Sequence, residues 1–162
     1  MTTLEPILRK HPFFADLADD DLKLICSCAK NVRFNVGDVV AKEGQSADEF
    51  YLIREGRIAV AMPSPSGGRL KIDTLDAGEV AGWSWLFPPY VWHFDLIAVT
   101  PIRALSMDGL CLRGKCDDDP RLGYDLMKRF SRVMSERLSA ARLQAIDLYG
   151  SKVSNLNPSP TT

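Results

Sequence analysis

Residues 48–60 read DEFYLIREGRIAV, and this stretch decides the fold. Two apolar runs of strand length, 50–54 and 58–62, stand on either side of Glu55-Gly56. Short runs rich in β-branched and aromatic residues, separated by a glycine turn, are typical of paired strands. Glycine suits the corner because it adopts positive φ at little cost. The stretch therefore predicts two antiparallel strands joined by a tight turn.

The same pattern extends in both directions over residues 32–107. Glycine-containing turns recur between short runs of strand type, at the ~8–12-residue spacing of an antiparallel barrel or jelly roll. The further predicted strands are 32–34, 39–42, 70–75, 96–99 and 102–107. The predicted fold class is mainly β with flanking helices (α+β): an antiparallel β-roll or jelly roll, with an N-terminal helix and a long C-terminal helix.

Helical patterns flank this β-region. Apolar residues recur at helical spacing over 12–30, and aspartates crowd the start of that segment, where the helix dipole favours acids. Asp117-Asp118-Asp119-Pro120 marks the start of a second, long helix, and Gly150 is expected to end it. The predicted organisation is an N-terminal helical segment (1–31), a β-roll (32–107), C-terminal helices (108–149) and a disordered tail (150–162).

The long helix carries two apolar faces. An early stripe that could dock on the roll consists of Leu122, Leu126, Phe130 and Val133. A second set follows the alternating spacing of four and three residues that is typical of a coiled-coil seam. Its principal members are Met127, Met134, Leu138, Ala141 and Leu148. A helix of about 30 residues spans roughly 45 Å, more than a roll of this size covers. We therefore expect a homodimer, with a seam buried within one chain as the alternative.

Composition narrows the function classes. The chain has 162 residues, 46% hydrophobic and 25% charged, with a formal net charge of −1. This mixture is typical of a folded globular protein and excludes a large basic field for nucleic acid. No apolar stretch approaches the ~20 residues that cross a bilayer. The N-terminus lacks the order of a signal peptide, so a cytoplasmic location and no membrane contact are expected.

The four cysteines are Cys26, Cys28, Cys111 and Cys116. Their spacing does not match the usual zinc sites. A cytoplasmic location predicts four reduced, buried thiols. An iron–sulfur or redox-sensing role is the alternative, and the sequence leaves it open.

The ordered set of glycine turns resembles the cyclic nucleotide-binding domain. The set is Gly37-Asp38, Glu43-Gly44, residues 48–53, Gly56 to Val60, and Gly78-Glu79-Val80-Ala81-Gly82. With its flanking helices, over residues 12–149, it is similar to the sensor domain of catabolite-activator-type bacterial regulators. The resemblance implies a ligand inside the roll, against a short phosphate-binding cassette. A cassette glutamate would hold a ribose hydroxyl, and an arginine would pair with the cyclic phosphate.

The cassette of this chain, residues 82–95, departs from that pattern. It reads GWSWLFPPYVWHFD and contains all three tryptophans. The glutamate position is Trp83, and the arginine position falls at Trp92, or within one residue of it, at Val91 or His93. Because none of these supplies a fixed cation at neutral pH, a buried phosphate would remain uncompensated. We expect no binding of cyclic AMP or cyclic GMP in the usual manner.

Two interpretations of the aromatic cassette stay open. The aromatic side chains plug the roll, or they line an altered pocket for a planar or apolar ligand. Candidate ligand-binding residues are Gly82, Trp83, Ser84, Trp85, Tyr90, Trp92 and His93. An arginine from another strand (Arg54, Arg69 or Arg103) could still neutralise a phosphate. Haem ligation by His93, which haem-bearing relatives of the fold suggest, is a further alternative.

No constellation for catalysis is visible. With His11 and His93 as the only histidines and no phosphate-loop or nucleophile-elbow motif, we expect no enzyme, no catalytic residue, no metal site and no cofactor. Only 13 residues follow residue 149, fewer than the roughly 50 that a helix-turn-helix domain requires, so DNA binding by this chain is not expected. The resulting prediction is a regulatory or sensor module that signals through a protein partner.

Overall fold

The computed structural model describes residues 3–153, with side chains to residue 148. The chain divides into two compact units, residues 1–124 and 125–162. The helices are α1 (Glu5–Lys10), α2 (Asp19–Cys26), α3 (Gly109–Asp118) and α4 (Pro120–Val153), with short 3-10 turns at Pro12–Phe14 and Ser84–Leu86. The strands are β1 (Ala29–Phe34), β2 (Val39–Ala41), β3 (Glu49–Glu55), β4 (Ile58–Pro63), β5 (Arg69–Leu75), β6 (Val80–Ala81), β7 (Asp95–Ala98) and β8 (Ile102–Asp108).

The strands form two antiparallel four-stranded sheets. Their orders are β1-β8-β3-β6 and β2-β7-β4-β5, which confirms the predicted jelly roll. Seven of the eight strands match the predicted runs, and the two-residue strand β6 was missed because so short a run carries no periodicity. Between the sheets lies an apolar core to which both contribute, including Tyr51, Ile58, Leu96 and Ile102.

Glycines at the corners of the roll have the conformation that the sequence analysis expected. Gly37, Gly44, Gly56, Gly78 and Gly82 all have φ between 83° and 103°. At Gly56 the requirement is also steric, because a Cβ there would lie 2.4 Å from the carbonyl oxygen of Pro101. A side chain at this turn would therefore displace the backbone of the neighbouring loop.

The N-terminal segment differs from the single helix predicted over 12–30. It consists of α1, the 3-10 turn Pro12–Phe14 and α2, while residues 29 and 30 already belong to β1. Buried His11 organises this break. Its Nδ1 accepts a hydrogen bond from the backbone N–H of Phe13 (3.2 Å), and its Nε2 lies 3.1 Å from the carbonyl oxygen of Ile53. Burial lowers the pKa of His11, so the neutral ring fastens this segment to β3.

Helix α4 begins at Pro120 as predicted, but Gly150 does not end it. The helix continues through Gly150 to Val153, because a single glycine costs a helix only about 1 kcal/mol relative to alanine. Residues 150–153 are therefore helical, contrary to the predicted tail, and residues 154–162 lie outside the described part of the chain. In the early stripe Leu122, Leu126 and Phe130 are buried and Val133 is half-buried.

The prediction of four reduced thiols is wrong for one pair. Cys28 and Cys111 form a disulfide, with a Cα–Cα distance of 5.8 Å, while Cys26 and Cys116 are free. The residues are 83 positions apart, and β1 and β8 bring them together, since Ala29 pairs with Met107. Among the described residues no helix is long and apolar enough to cross a membrane.

Candidate ligand-binding cassette

The cassette connects the two sheets through irregular backbone. It leaves β6 at Gly82, makes the 3-10 turn Ser84–Leu86, passes a cis peptide bond at Pro88-Pro89 and enters β7 at Asp95. Tyr90 has a positive φ of 54°, which is unusual for a residue with a side chain. Two backbone hydrogen bonds join Trp92 to Gly44 (2.8 Å) and Gln45 (2.9 Å), so the second half of the cassette is fixed to the preceding loop.

Trp92 belongs to the core of the roll. Its side chain is 8% exposed and packs in the cluster that also contains Tyr51, Val60 and Leu96. The ring lies directly over Gly82: a Cβ on that glycine would be 2.4 Å from Cη2 and 2.7 Å from Cζ3 of the indole. The indole therefore occupies space inside the roll, where the sequence analysis placed either a plug or a ligand.

Trp85 lies outside that cluster. It is 1% exposed and stacks on Phe50, with ring centroids 4.9 Å apart and planes inclined by 15°. Because side chains alternate along a strand, Phe50 points away from the core side occupied by Tyr51. Gly109, at the start of α3, lies close to Trp85, since a Cβ there would be 2.8 Å from the Trp85 Cβ. The tryptophans thus do not form one cage, because Trp85 packs beneath α3.

Arg113 of α3 contacts the cassette twice. Its Nη1 donates a 2.6 Å hydrogen bond to the carbonyl oxygen of Trp85, and its guanidinium carbon lies 4.1 Å from the centre of the Tyr90 ring. A cation over an aromatic face is attracted by the ring quadrupole. Arg113 was not predicted as a cassette contact, since nothing in the helical pattern of 109–118 distinguishes it.

The other predicted cassette residues differ in exposure. Ser84 is buried, Trp83 and Tyr90 are half-buried, and His93 is exposed. The structure brings Gly82 and Trp92 into contact, whereas the exposed His93 has no place in the core cluster. In the described residues no group of three or more His, Cys, Asp or Glu side chains has the arrangement of a metal site.

Asp95 is a buried charge at the end of the cassette. Its carboxylate accepts the backbone N–H of Glu43 (2.8 Å) and Nε of Arg69 (2.9 Å). The hydrogen bond from Glu43, and then the Arg69 guanidinium, hold the pKa of Asp95 below its ordinary value despite burial. Arg69, one of the three arginines considered for a phosphate, is therefore already paired with a buried carboxylate.

The other two candidate arginines have exposed side chains. Arg103 stands between Ile102 and Ala104, which both belong to the core cluster, so its side chain points the opposite way by strand alternation. Arg54 lies where the register of β3 against β8 shifts, and its side chain is exposed. Arg54 donates to Asn31 at 3.4 Å, and Arg103 lies 3.8 Å from Glu55. Neither contacts the interior of the roll.

The contact between Gly82 and Trp92 makes a matched test of packing. Gly82→Ala should destabilise the fold by about 1–3 kcal/mol more than Gly44→Ala, because overpacking against a buried ring adds to the strain of positive φ. Gly44 has φ of +83° and nothing within 4 Å of its Cβ position, so it reports strain alone. Urea unfolding of both variants measures the difference, and equal losses would contradict the packing of Trp92 against Gly82.

Four of the five predicted seam residues lie exposed on α4. Met127, Leu138 and Leu148 are 45%, 52% and 74% exposed, Ala141 is exposed and Met134 is half-buried. At 100° per residue these side chains fall on one face of the 34-residue helix. Leu143, which is also exposed, lies on the opposite face.

Comparison with known proteins agrees with this architecture. The sequence model of the cyclic nucleotide-binding domain matches residues 31–119, more than half of the chain. The chain therefore belongs to the cyclic nucleotide-binding domain family.

Its relatives are regulators and regulator domains. A CRP-like cAMP-activated global transcriptional regulator of Mycobacterium tuberculosis (strain ATCC 25618 / H37Rv) is 24% identical over 145 residues. The match covers 90% of this chain and 63% of that regulator, so the chain spans less than two thirds of its length.

Solved structures show the same fold. A protein from Geobacter metallireducens GS-15 described as cyclic nucleotide-binding has a TM-score of 0.75 and 29% identity, covering 85% of this chain and 99% of that one. The N-terminal domain of a transcriptional regulator from Streptomyces coelicolor A3(2) has a TM-score of 0.65 and 24% identity, covering 83% and 94% respectively.

Proposed function

We propose that the chain is a non-enzymatic regulatory module of the cyclic nucleotide-binding fold that does not bind cyclic AMP or cyclic GMP in the usual manner. The observation that carries this proposal is the position of the Trp92 indole, inside the core of the roll and against Gly82. A ligand seated inside the roll, as the family resemblance implies, would have to displace this ring.

Charge supports the same conclusion. Trp83 stands at the family's glutamate position, and the cassette supplies neither a lysine nor an arginine. Arg69 is the candidate arginine that contacts the cassette, and it is held by buried Asp95. Freeing Arg69 for a phosphate would leave the Asp95 carboxylate buried without its cation, which costs free energy in its own right. Among the cassette residues and the three candidate arginines, neither the glutamate nor the arginine of the usual recognition has a substitute.

Calorimetry and thermal unfolding with cyclic AMP and cyclic GMP test the proposal. We expect no heat of binding and no rise in melting temperature at millimolar nucleotide. A micromolar site would be evident, because a thousandfold excess over Kd stabilises the folded state by about 4 kcal/mol. Micromolar affinity for either nucleotide would overturn the proposal.

The second candidate function is a sensor of a planar or apolar molecule. The aromatic cassette favours it, because partial displacement of Trp92 would leave an apolar, π-rich space. Indole and adenine serve as probes: quenching of tryptophan fluorescence together with a raised melting temperature would support this function. A flat response to both probes supports a plugged module that acts through protein contact.

The output surface that we propose is the seam on α4, defined by Met127, Met134, Leu138, Ala141 and Leu148, which would pair with a second copy. Exposed apolar side chains on one face at coiled-coil spacing favour burial against another helix. A partner protein would then recognise the paired helices, or a change in how the two helices are arranged.

The two exposed leucines provide a matched pair of variants for this surface. Leu138→Glu should convert a dimer to a monomer in light scattering, since it places a charge in the seam. Leu143→Glu adds the same charge on the opposite face and should leave the mass unchanged. A wild-type protein with the mass of one chain at tens of micromolar, or equal effects of both variants, would contradict the seam.

A further inference from the structure

Helix α3 is bound to two different parts of the molecule within its first five residues. Cys111 is linked by the disulfide to Cys28, which directly precedes β1, and Arg113 contacts the cassette at Trp85 and Tyr90. All these residues belong to the same compact unit, 1–124. Cys111 and Arg113 are two residues apart, so both contacts are made within one turn of α3.

The surroundings of the disulfide are also joined by two hydrogen bonds of Asp108, one from its backbone and one to its side chain. The Asp108 N–H donates to the Cys28 carbonyl oxygen (2.8 Å), and the Asp108 carboxylate caps α3 by accepting the N–H of Cys111 (3.0 Å). Because these bonds hold the two cysteines near each other, opening of the disulfide leaves the thiols positioned to close again. The geometry fits repeated opening and closing at this place.

We propose that Cys28–Cys111 is a reversible thiol–disulfide exchange site whose partner is a dithiol reductant, and that Arg113 transmits its state to the cassette. The oxidised state holds the start of α3, and with it the Arg113 contacts, in the observed position. The reduced state removes the covalent link and leaves the start of α3 held by the hydrogen bonds of Asp108, and the cassette between Trp85 and Tyr90 becomes more mobile. The inference goes beyond the proposed function and holds whether the cassette is plugged or occupied.

The exchange is balanced in two steps. A thiolate of the dithiol attacks the Sγ of half-buried Cys111 rather than that of Cys28, which is 5% exposed. Cys28 leaves as a thiolate and takes up a proton, while Cys111 forms a mixed disulfide with the reductant. The second thiol of the reductant then attacks, as a thiolate, the reductant sulfur that is bonded to Cys111. This closes the disulfide of the reductant and releases Cys111 as a thiolate, which takes up a proton. Two electrons and two protons pass to the protein, and the dithiol becomes a disulfide.

Thiol counting on the full chain tests the exchange. After treatment with dithiothreitol, four thiols per chain should react under denaturing conditions; after oxidised glutathione only two should remain, Cys26 and Cys116. Peptide mapping should assign the bond to Cys28 and Cys111. The double variant Cys26→Ser/Cys116→Ser is the control. Its two remaining thiols, those of Cys28 and Cys111, should both disappear on oxidation. Four thiols after oxidation, or a bond that contains Cys26 or Cys116, would overturn the proposal.

Amide hydrogen exchange tests the transmission to the cassette. Residues 83–92 should exchange more slowly in the oxidised wild-type protein than in the reduced one, and tryptophan fluorescence should change with the same midpoint. Arg113→Met should form the disulfide as readily, yet lose both responses. The main comparison is between the oxidised and the reduced wild-type protein, so the test remains valid even if Arg113→Met folds poorly. Identical exchange of the cassette in both redox states would refute the coupling.

Discussion

Replacing Trp92 with alanine should lower the free energy of unfolding by about 3–5 kcal/mol, the range for removal of a large aromatic side chain from a core. The indole is 8% exposed and packs among residues from both sheets. Without the indole, the free energy gained by transferring the ring from water to the core is lost, and a cavity remains beside Gly82. The positive φ of Gly82 and the loop at Gly44 and Gln45 limit how far the surrounding residues can collapse into this cavity. Urea unfolding followed by circular dichroism measures the loss.

Phe87→Ala is the matched control for this prediction. Phe87 lies in the same cassette but is 38% exposed, so its truncation should cost less than about 1 kcal/mol. Trp92→Phe should recover much of the stability, since it restores most of the buried apolar area. If Trp92→Ala costs no more than the control, then the roll tolerates an empty interior and the cassette is better regarded as a ligand pocket.

The cavity itself gives a second measurement. An apolar space left by a truncated ring can be refilled by a small aromatic molecule, as apolar cavities bind such compounds. Indole at millimolar concentration should raise the melting temperature of Trp92→Ala more than that of the wild-type protein. Equal shifts in both proteins would mean that indole binds elsewhere.

The fold was predictable because its main determinants are local. A glycine at a corner such as Gly56 reports a backbone requirement that no other residue meets cheaply. Short apolar runs between such corners then leave few choices other than paired antiparallel strands. Where a local signal is weaker, the prediction was wrong: Gly150 marks no helix end, since the cost of one glycine is small against the rest of α4.

The arrangement of the cassette was less predictable because it depends on tertiary contacts. The sequence shows that Trp85 and Trp92 are seven residues apart, but it does not show that they lie on different sides of a sheet. The separation comes from the irregular backbone between them, which includes the 3-10 turn and the positive φ of Tyr90. The pairing of Cys28 with Cys111 depends likewise on the register of β1 with β8, which spacing along the chain does not reveal.

Replacing Arg121 with methionine should cost about 2–3 kcal/mol of stability. The guanidinium makes two hydrogen bonds to the carboxylate of Asp21, at 2.6 and 3.1 Å, across 100 positions of sequence. The Asp21 side chain is only 2% exposed, so removal of its partner leaves a buried charge. Loss of one partner from a fully buried pair costs about 3–5 kcal/mol. The Arg121 side chain is 67% exposed, which lets water replace part of the interaction and lowers the expected loss.

Two comparisons separate this effect from the general loss of a surface ion pair. Arg57→Met breaks the Arg57–Asp76 pair, whose side chains are 58% and 56% exposed, and should cost less than about 1 kcal/mol. Asp21→Asn combined with Arg121→Met removes the buried charge together with its partner. This double variant should be more stable than Arg121→Met alone, because the stranded carboxylate is the main source of its instability. If Arg121→Met costs no more than Arg57→Met, Asp21 is compensated by water or by another group, and the pair does not hold α2 to the start of α4.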